Sequence, residues 1–265
     1  MKLDTQKKEF LKNVLFTFTA FAVYKLIGKF AISHIENGVV NAFASEVTLL
    51  VCAFCLAFVT KRINVLKWKR QGIGTGLLVG LFMLIAQGLV ILRWFLQYSI
   101  GMQTVTISGG EIILFLLAMI MVGISEELMF RGVLLNVCLD FFGEASVSSI
   151  RKAIIIAGSI FGAFHIFNVL IGASLSGSIV QAANAIALGI MLGAIYIRSG
   201  KNIWPCIILH TIQDTAAFLQ SGMMNGGGIK DSVSGYDITA IPTIILLLLI
   251  GFFIMRKKKM SQFVK

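Results

Sequence analysis

An all-α, polytopic membrane bundle is predicted by three observations: an apolar composition, a series of long apolar runs, and a lopsided placement of basic residues. Of 265 residues, 57% are hydrophobic and only 13% charged, with a mean hydropathy of +0.91. Soluble domains carry about 25% charged residues, so the chain falls outside that class. Runs long enough to cross ~30 Å of hydrocarbon fall at roughly 13–33, 39–60, 73–97, 111–138, 153–171, 179–198, 203–220 and 239–255. They give about eight transmembrane helices, forming one integral-membrane domain over 1–265.

The first run carries Lys25 and Lys29 and no convincing cleavage site, so it reads as a span rather than a removable signal. The second holds Glu46 and the pair Cys52 and Cys55. That CxxC spacing, like Cys138 and Cys206, reads as small buried apolar side chains rather than a redox or metal site. GxxxG pairs, which permit close backbone approach, mark the third span (Gly76/Gly80), the fifth (Gly158/Gly162) and the sixth (Gly189/Gly193). Ser221 to Tyr236, with Gly226-Gly227-Gly228, reads as a flexible loop before the last span.

The basic residues orient these spans. Lys2, Lys7, Lys8, Lys12, Lys61, Arg62, Lys67, Lys69, Arg70, Arg151, Lys152, Arg198, Lys201, Arg256, Lys257, Lys258, Lys259 and Lys265 are eighteen of the 23 Lys and Arg. All lie on one side of the bilayer if both termini are cytoplasmic, which leaves Lys230 in an outer loop. In a soluble protein a net charge of +11 would suit nucleic acid. Here the cations flank apolar spans, so lipid headgroups are the expected partner and nucleic acid is not.

The fourth run contains Ser125-Glu126-Glu127-Leu128-Met129-Phe130-Arg131. Each charge at the bilayer centre costs roughly 2.5–3.5 kcal/mol, so such groups must face protein or water and find partners. Glu127 and Arg131 are i and i+4 and form one pair. Glu126 points about 100° away, without a local counter-charge, and is the expected reactive group. Of the three histidines, His34 reads as an interface residue at a helix end. His165, with Asn168 one turn on, and His210, one turn before Asp214, lie inside apolar runs. Counted at ~1.5 Å per residue from the ends of the apolar runs, Glu126, His165 and His210 lie ~10–18 Å below the cytoplasmic surface, implying one cavity facing that side. Glu46, Gln181 and Asn184 fit structural and functional roles equally well.

Glu126-Glu127-xxx-Arg131, Phe161-xxx-His165 and His210-xxx-Asp214, in this order on membrane helices, resemble the CPBP family. These are the CAAX-processing and bacteriocin-processing intramembrane proteases, and the resemblance covers a core of about 111–219. It implies a multi-pass membrane endopeptidase, expected in a bacterial plasma membrane, that cleaves a membrane-associated peptide or protein near the cytoplasmic leaflet. By position Glu126 matches the water-activating glutamate, Glu127 and Arg131 the rest of the first motif, His165 and His210 the histidines, and Asp214 an Asn or Asp. Two mechanisms fit. Either Glu126, His165 and His210 hold Zn²⁺, or Glu126 is a metal-free general base with histidine and Asp214 stabilising the oxyanion. The alternatives are a non-catalytic membrane partner or immunity protein that binds a peptide or a sensor kinase, and a small proton-coupled transporter.

Overall fold

A computed structural model describes residues 2–264; Lys265, counted above among the basic residues, lies outside the described residues. Among these, every regular element is helical. Helix α1 (Lys2–Ile27) runs on through a π-helical turn, Gly28–Ile32, and α2 spans Gly38–Val59. The Asn37 side chain caps α2 by accepting from the Val39 and Val40 amides at 3.1 and 3.0 Å. The predicted third span is broken: α3 (Ile73–Val79) and α4 (Leu81–Ser99) meet at Gly80. A Cβ on Gly80 would lie 2.4 Å from Leu209, and one on Gly76 would lie 2.5 Å from Pro205. The glycines at this break let the chain press against the later helix.

Helix α5 (Gly109–Glu127) starts in a capping box between Ser108 and Glu111 and passes into a π-helical stretch, Leu128–Leu135, before α6 (Asn136–Phe142). Helix α7 (Val147–Phe164) ends in 3₁₀ turns over His165–Ile171, and α8 (Leu175–Arg198) comes next. These two pack backbone to backbone, as the small-residue spacing predicts: a Cβ on Gly158 would meet the Ile190 amide at 2.8 Å, and one on Gly162 the Ile186 amide at 2.5 Å. Helix α9 (Trp204–Gln220), the short α10 (Ile229–Ser234), α11 (Ile241–Ile254) and α12 (Lys257–Met260) complete the chain.

Among the described residues six helices are long and apolar enough to cross a membrane, or seven if the bent pair Ile238–Ile254 and Lys257–Phe263, meeting at 58°, is one span. The expected seventh, 203–220, is present as α9, but its 17 residues fall short. At ~1.5 Å per residue they cover about 26 Å, less than the hydrocarbon thickness. The predicted loop 221–236 also differs from expectation. It is ordered by α10, by a bond from Ser232 Oγ to Ser221 Oγ at 2.5 Å and by the Thr106 amide donating to the Met224 carbonyl at 3.0 Å.

The core is uneven along the bundle. All of Leu128–Leu135 is buried, packed with Ile150, Ile154, Phe161 and the Ile190–Ile197 stretch of α8. The outer faces of α4 and α11 expose Leu89, Leu92, Phe95, Leu249, Phe252 and Phe253, an apolar belt suited to lipid. All four cysteines are free. Cys52, Cys138 and Cys206 are buried as expected, but Cys55 is exposed beside the outward-facing Phe54 and Phe58, because that side of α2 has no neighbouring helix.

Candidate active site

The Glu126-Glu127 dipeptide sits at the junction of α5 with its π-helical continuation, and the two side chains diverge. Glu127 is fully buried. Its Oε1 accepts from Arg131 Nη1 at 2.7 Å and from His210 Nδ1 at 2.6 Å. Arg131, also buried, donates to the Gly189 carbonyl at 3.5 Å and lies 4.7 Å from the centre of the Phe161 ring. The expected i, i+4 pair therefore forms and stands behind the histidine.

That contact fixes His210. With Nδ1 committed to Glu127, Nε2 is the nitrogen turned toward the other two carboxylates. Glu126 Oε2 and Asp214 Oδ2 each lie 3.5 Å from it. The Glu127 carboxylate also accounts for the burial of the charges: it serves a guanidinium and an imidazole together, which limits the cost of an isolated ion in low dielectric. His165 is held separately. Its Nδ1 donates to the Phe161 carbonyl at 3.1 Å, leaving Nε2 free, and its ring meets the Phe161 ring edge-on at 5.0 Å. Phe161 also packs edge-on against His210 at 5.9 Å and so spaces the two imidazoles.

Glu126, His165, His210 and Asp214 line one cavity of about 90 Å³, room for several water molecules. The structure thus gathers the residues predicted from three separate helices, with Glu127 and Arg131 behind them. It adds Lys25 and Tyr236, and it gives places in the cavity wall to Asn168, Gln181 and Glu46. Lys25 of α1 enters the wall and donates from Nζ to Asn168 Oδ1 at 2.6 Å, and Asn168 Nδ2 donates to Gln181 Oε1 at 2.7 Å. Glu46 of α2 is buried in the same wall with Oε2 lacking any hydrogen-bond partner. Tyr236, beyond α10, closes another side. Burial, with Asp214 nearby, pushes its hydroxyl up to about 12, so it stays a neutral hydrogen-bond donor. Only a charge with no opposite charge in its own apolar run could have signalled Lys25 and Glu46.

One expectation is corrected. The cavity does not face the side that carries the basic segments. Ile229 and Tyr236, from the 221–237 stretch, help to line it, and residues 61–70, 151–152, 198–201 and 256–259 do not. The depth count failed because helices outrun apolar runs: α7 begins at Val147, six residues before the run at 153, which carries His165 close to the opposite end.

Among the described residues no three His, Cys, Asp or Glu side chains are gathered closely enough to hold a metal ion. Glu126, His165 and His210 share the cavity without forming such a group.

Fold and site together define a multi-pass membrane protein with a small histidine- and carboxylate-lined cavity among its helices. Residues 108–216 match the family model of Rce1-like type II CAAX prenyl endopeptidases, and this segment contains all three motifs. The resemblance to the CAAX-processing membrane proteases is therefore shown over that segment, and it supports an intramembrane endopeptidase at the level of the family. No curated protein and no solved structure matches the chain.

Proposed function

We propose that the protein is an intramembrane endopeptidase in which Glu126 activates a water held in the cavity. The observation that carries this reading is the placement of Glu126 and Asp214 on either side of His210 Nε2, at 3.5 Å each, with Nδ1 anchored by Glu127. Peptide hydrolysis needs a base on the water and donors aimed at the developing oxyanion. In the proposed sequence the Glu126 carboxylate takes a proton as the water oxygen adds to the scissile carbonyl carbon. His210, protonated between Asp214 and Glu127, donates to the oxyanion through Nε2, while His165, whose Nδ1–H is held by the Phe161 carbonyl, presents Nε2 to the cavity as an acceptor for water. Collapse of the tetrahedral species breaks the C–N bond, and Glu126 returns the proton to the leaving amine. No step requires a metal. Glu127 and Arg131 touch no reacting atom; they position His210.

The substrate is a membrane-associated peptide or protein, and the protein works as a multi-pass component of a bacterial plasma membrane. Processing of a CAAX-type terminus or of a bacteriocin-like peptide would both use this chemistry. The decisive experiment compares the peptides of membranes carrying the wild-type chain with those carrying Glu126→Gln, with and without a chelator. Products that require Glu126 and persist with chelator are expected. An unchanged peptide profile with normally folded Glu126→Gln protein would leave the binding-protein reading in its place.

A further inference from the structure

We infer that the cavity admits its substrate from the non-cytoplasmic face, so that the chain acts on peptide segments exposed outside the cytoplasm. This rests on the protease reading for its chemistry and on independent observations for its direction. At about 90 Å³ the cavity is too small for a peptide, but two larger clefts adjoin it. One, of about 280 Å³, shares Tyr24, Lys25 and Ile229 with the cavity and extends past Ser33, Glu36, Gly226 and Asp231. The other, of about 590 Å³, shares Asn184, Gln213 and Tyr236 and extends past Ser221, Ser232, Asp237 and Thr239. Both are walled by the 221–240 stretch; the smaller also by Ser33 to Ser45, the larger also by Gln87 and Val90 of α4, Asn184 of α8 and Gln213 of α9. An extended segment lying through them would pass the mouth of the cavity.

The opposite end is closed. Leu128–Leu135 and Ile190–Ile197 fill the space between the cavity and the basic segments, and every residue in both stretches is buried. The end that carries the clefts contains Lys230 alone of the clear loop cations, whereas seventeen of the described Lys and Arg lie toward the closed end or beyond it. Basic loops remain cytoplasmic during insertion. The two facts combine to put the closed floor toward the cytoplasm and both clefts toward the exterior.

Accessibility of single cysteines tests the direction without requiring a known substrate. In a Cys55→Ala background, Lys230→Cys, Gln213→Cys and Lys258→Cys are each treated with a membrane-impermeant maleimide, in intact cells and after permeabilisation. Lys230 and Gln213 line the clefts, and Lys258 is exposed at the basic end. Label on K230C and Q213C in intact cells should equal that after permeabilisation, while K258C should stay near background until the membrane is opened. Labelling of K258C alone in intact cells would overturn the orientation. Labelling of Q213C only together with K258C would overturn the direction of the cavity. Either result would leave the protease reading to the Glu126→Gln comparison, and loss of that reading would leave the labelling pattern standing.

Discussion

The segment 108–216 and the pair α1–α2 meet at one cavity but contribute to it in different ways. From the first come Glu126, His165, His210 and Asp214, with both histidines fixed by neighbours within that segment: Glu127 on His210, the Phe161 carbonyl on His165. From the second come Tyr24, Lys25 and Glu46, which face the same space across the helix interface. Lys25 is tied to the first segment through Asn168, and Glu46 Oε2 has no hydrogen-bond partner. The chemistry is therefore held by geometry within one part of the chain, and the shape and charge around it are supplied by another. Motifs identify the first kind of residue. The second kind is found only when the helices are assembled.

The largest effect should come from Glu126. Removing a general base costs about 10²–10⁴ in rate, so Glu126→Gln should lose at least that in turnover with near-normal abundance in membranes. An active Glu126→Gln enzyme would dissolve the distinction between the two regions. Next come Glu127→Ala and Arg131→Ala. Each leaves a buried charge unpaired, for about 3–5 kcal/mol, and should lower thermal stability as well as activity. Double substitution to similarly sized apolar residues should restore much of the stability and none of the His210 orientation, read as a lower kcat. Replacements in the wall are smaller. Lys25→Met removes a charged hydrogen bond worth about 1.5–3 kcal/mol and should shift KM across a peptide panel more than kcat. Equal loss of kcat and kcat/KM would move Lys25 into the reacting set. The smallest effect tests the helix that carries His165 from its far end. Ser146 caps α7 through the Ser149 amide at 3.1 Å, and Ser146→Ala should cost about 1 kcal/mol in a thermal melt with activity retained.

Much of this site was legible because charge in an apolar run is costly, and cost restricts arrangement. Glu126, Glu127 and Arg131 had to face inward, and the His165 and His210 spacings supplied the partners. The close contact of α7 with α8 was likewise readable from Gly158 and Gly162. Lys25 and Glu46 were not, since neither has an opposite charge within its own apolar run, and the Lys25 partner, Asn168, lies 143 positions away. The break at Gly80 was hidden because a glycine in an apolar run reads equally as packing or as interruption. The cavity's direction was misread for a different reason. Hydropathy marks where lipid touches a helix, whereas depth depends on where the helix starts, and Ser146 starts α7 ahead of its apolar run.

The π-helical stretch Leu128–Leu135 makes the length of this chain, and not only its composition, part of the site. Such a stretch carries more residues per turn than the α-helix on either side. Deleting a single residue from it would favour relaxation to α-helix and change both the twist and the rise between Glu126 and α6. Asn136, which donates to Tyr196 Oη at 2.8 Å and to the Arg131 and Gly132 carbonyls, would then leave its partners. A gap here should be far less tolerated than an apolar exchange such as Leu134→Met, although both leave the stretch equally hydrophobic. A deletion scan read by membrane abundance would show it, and even tolerance across 120–142 would refute it. Insertions and deletions in related sequences should accordingly avoid these eight positions.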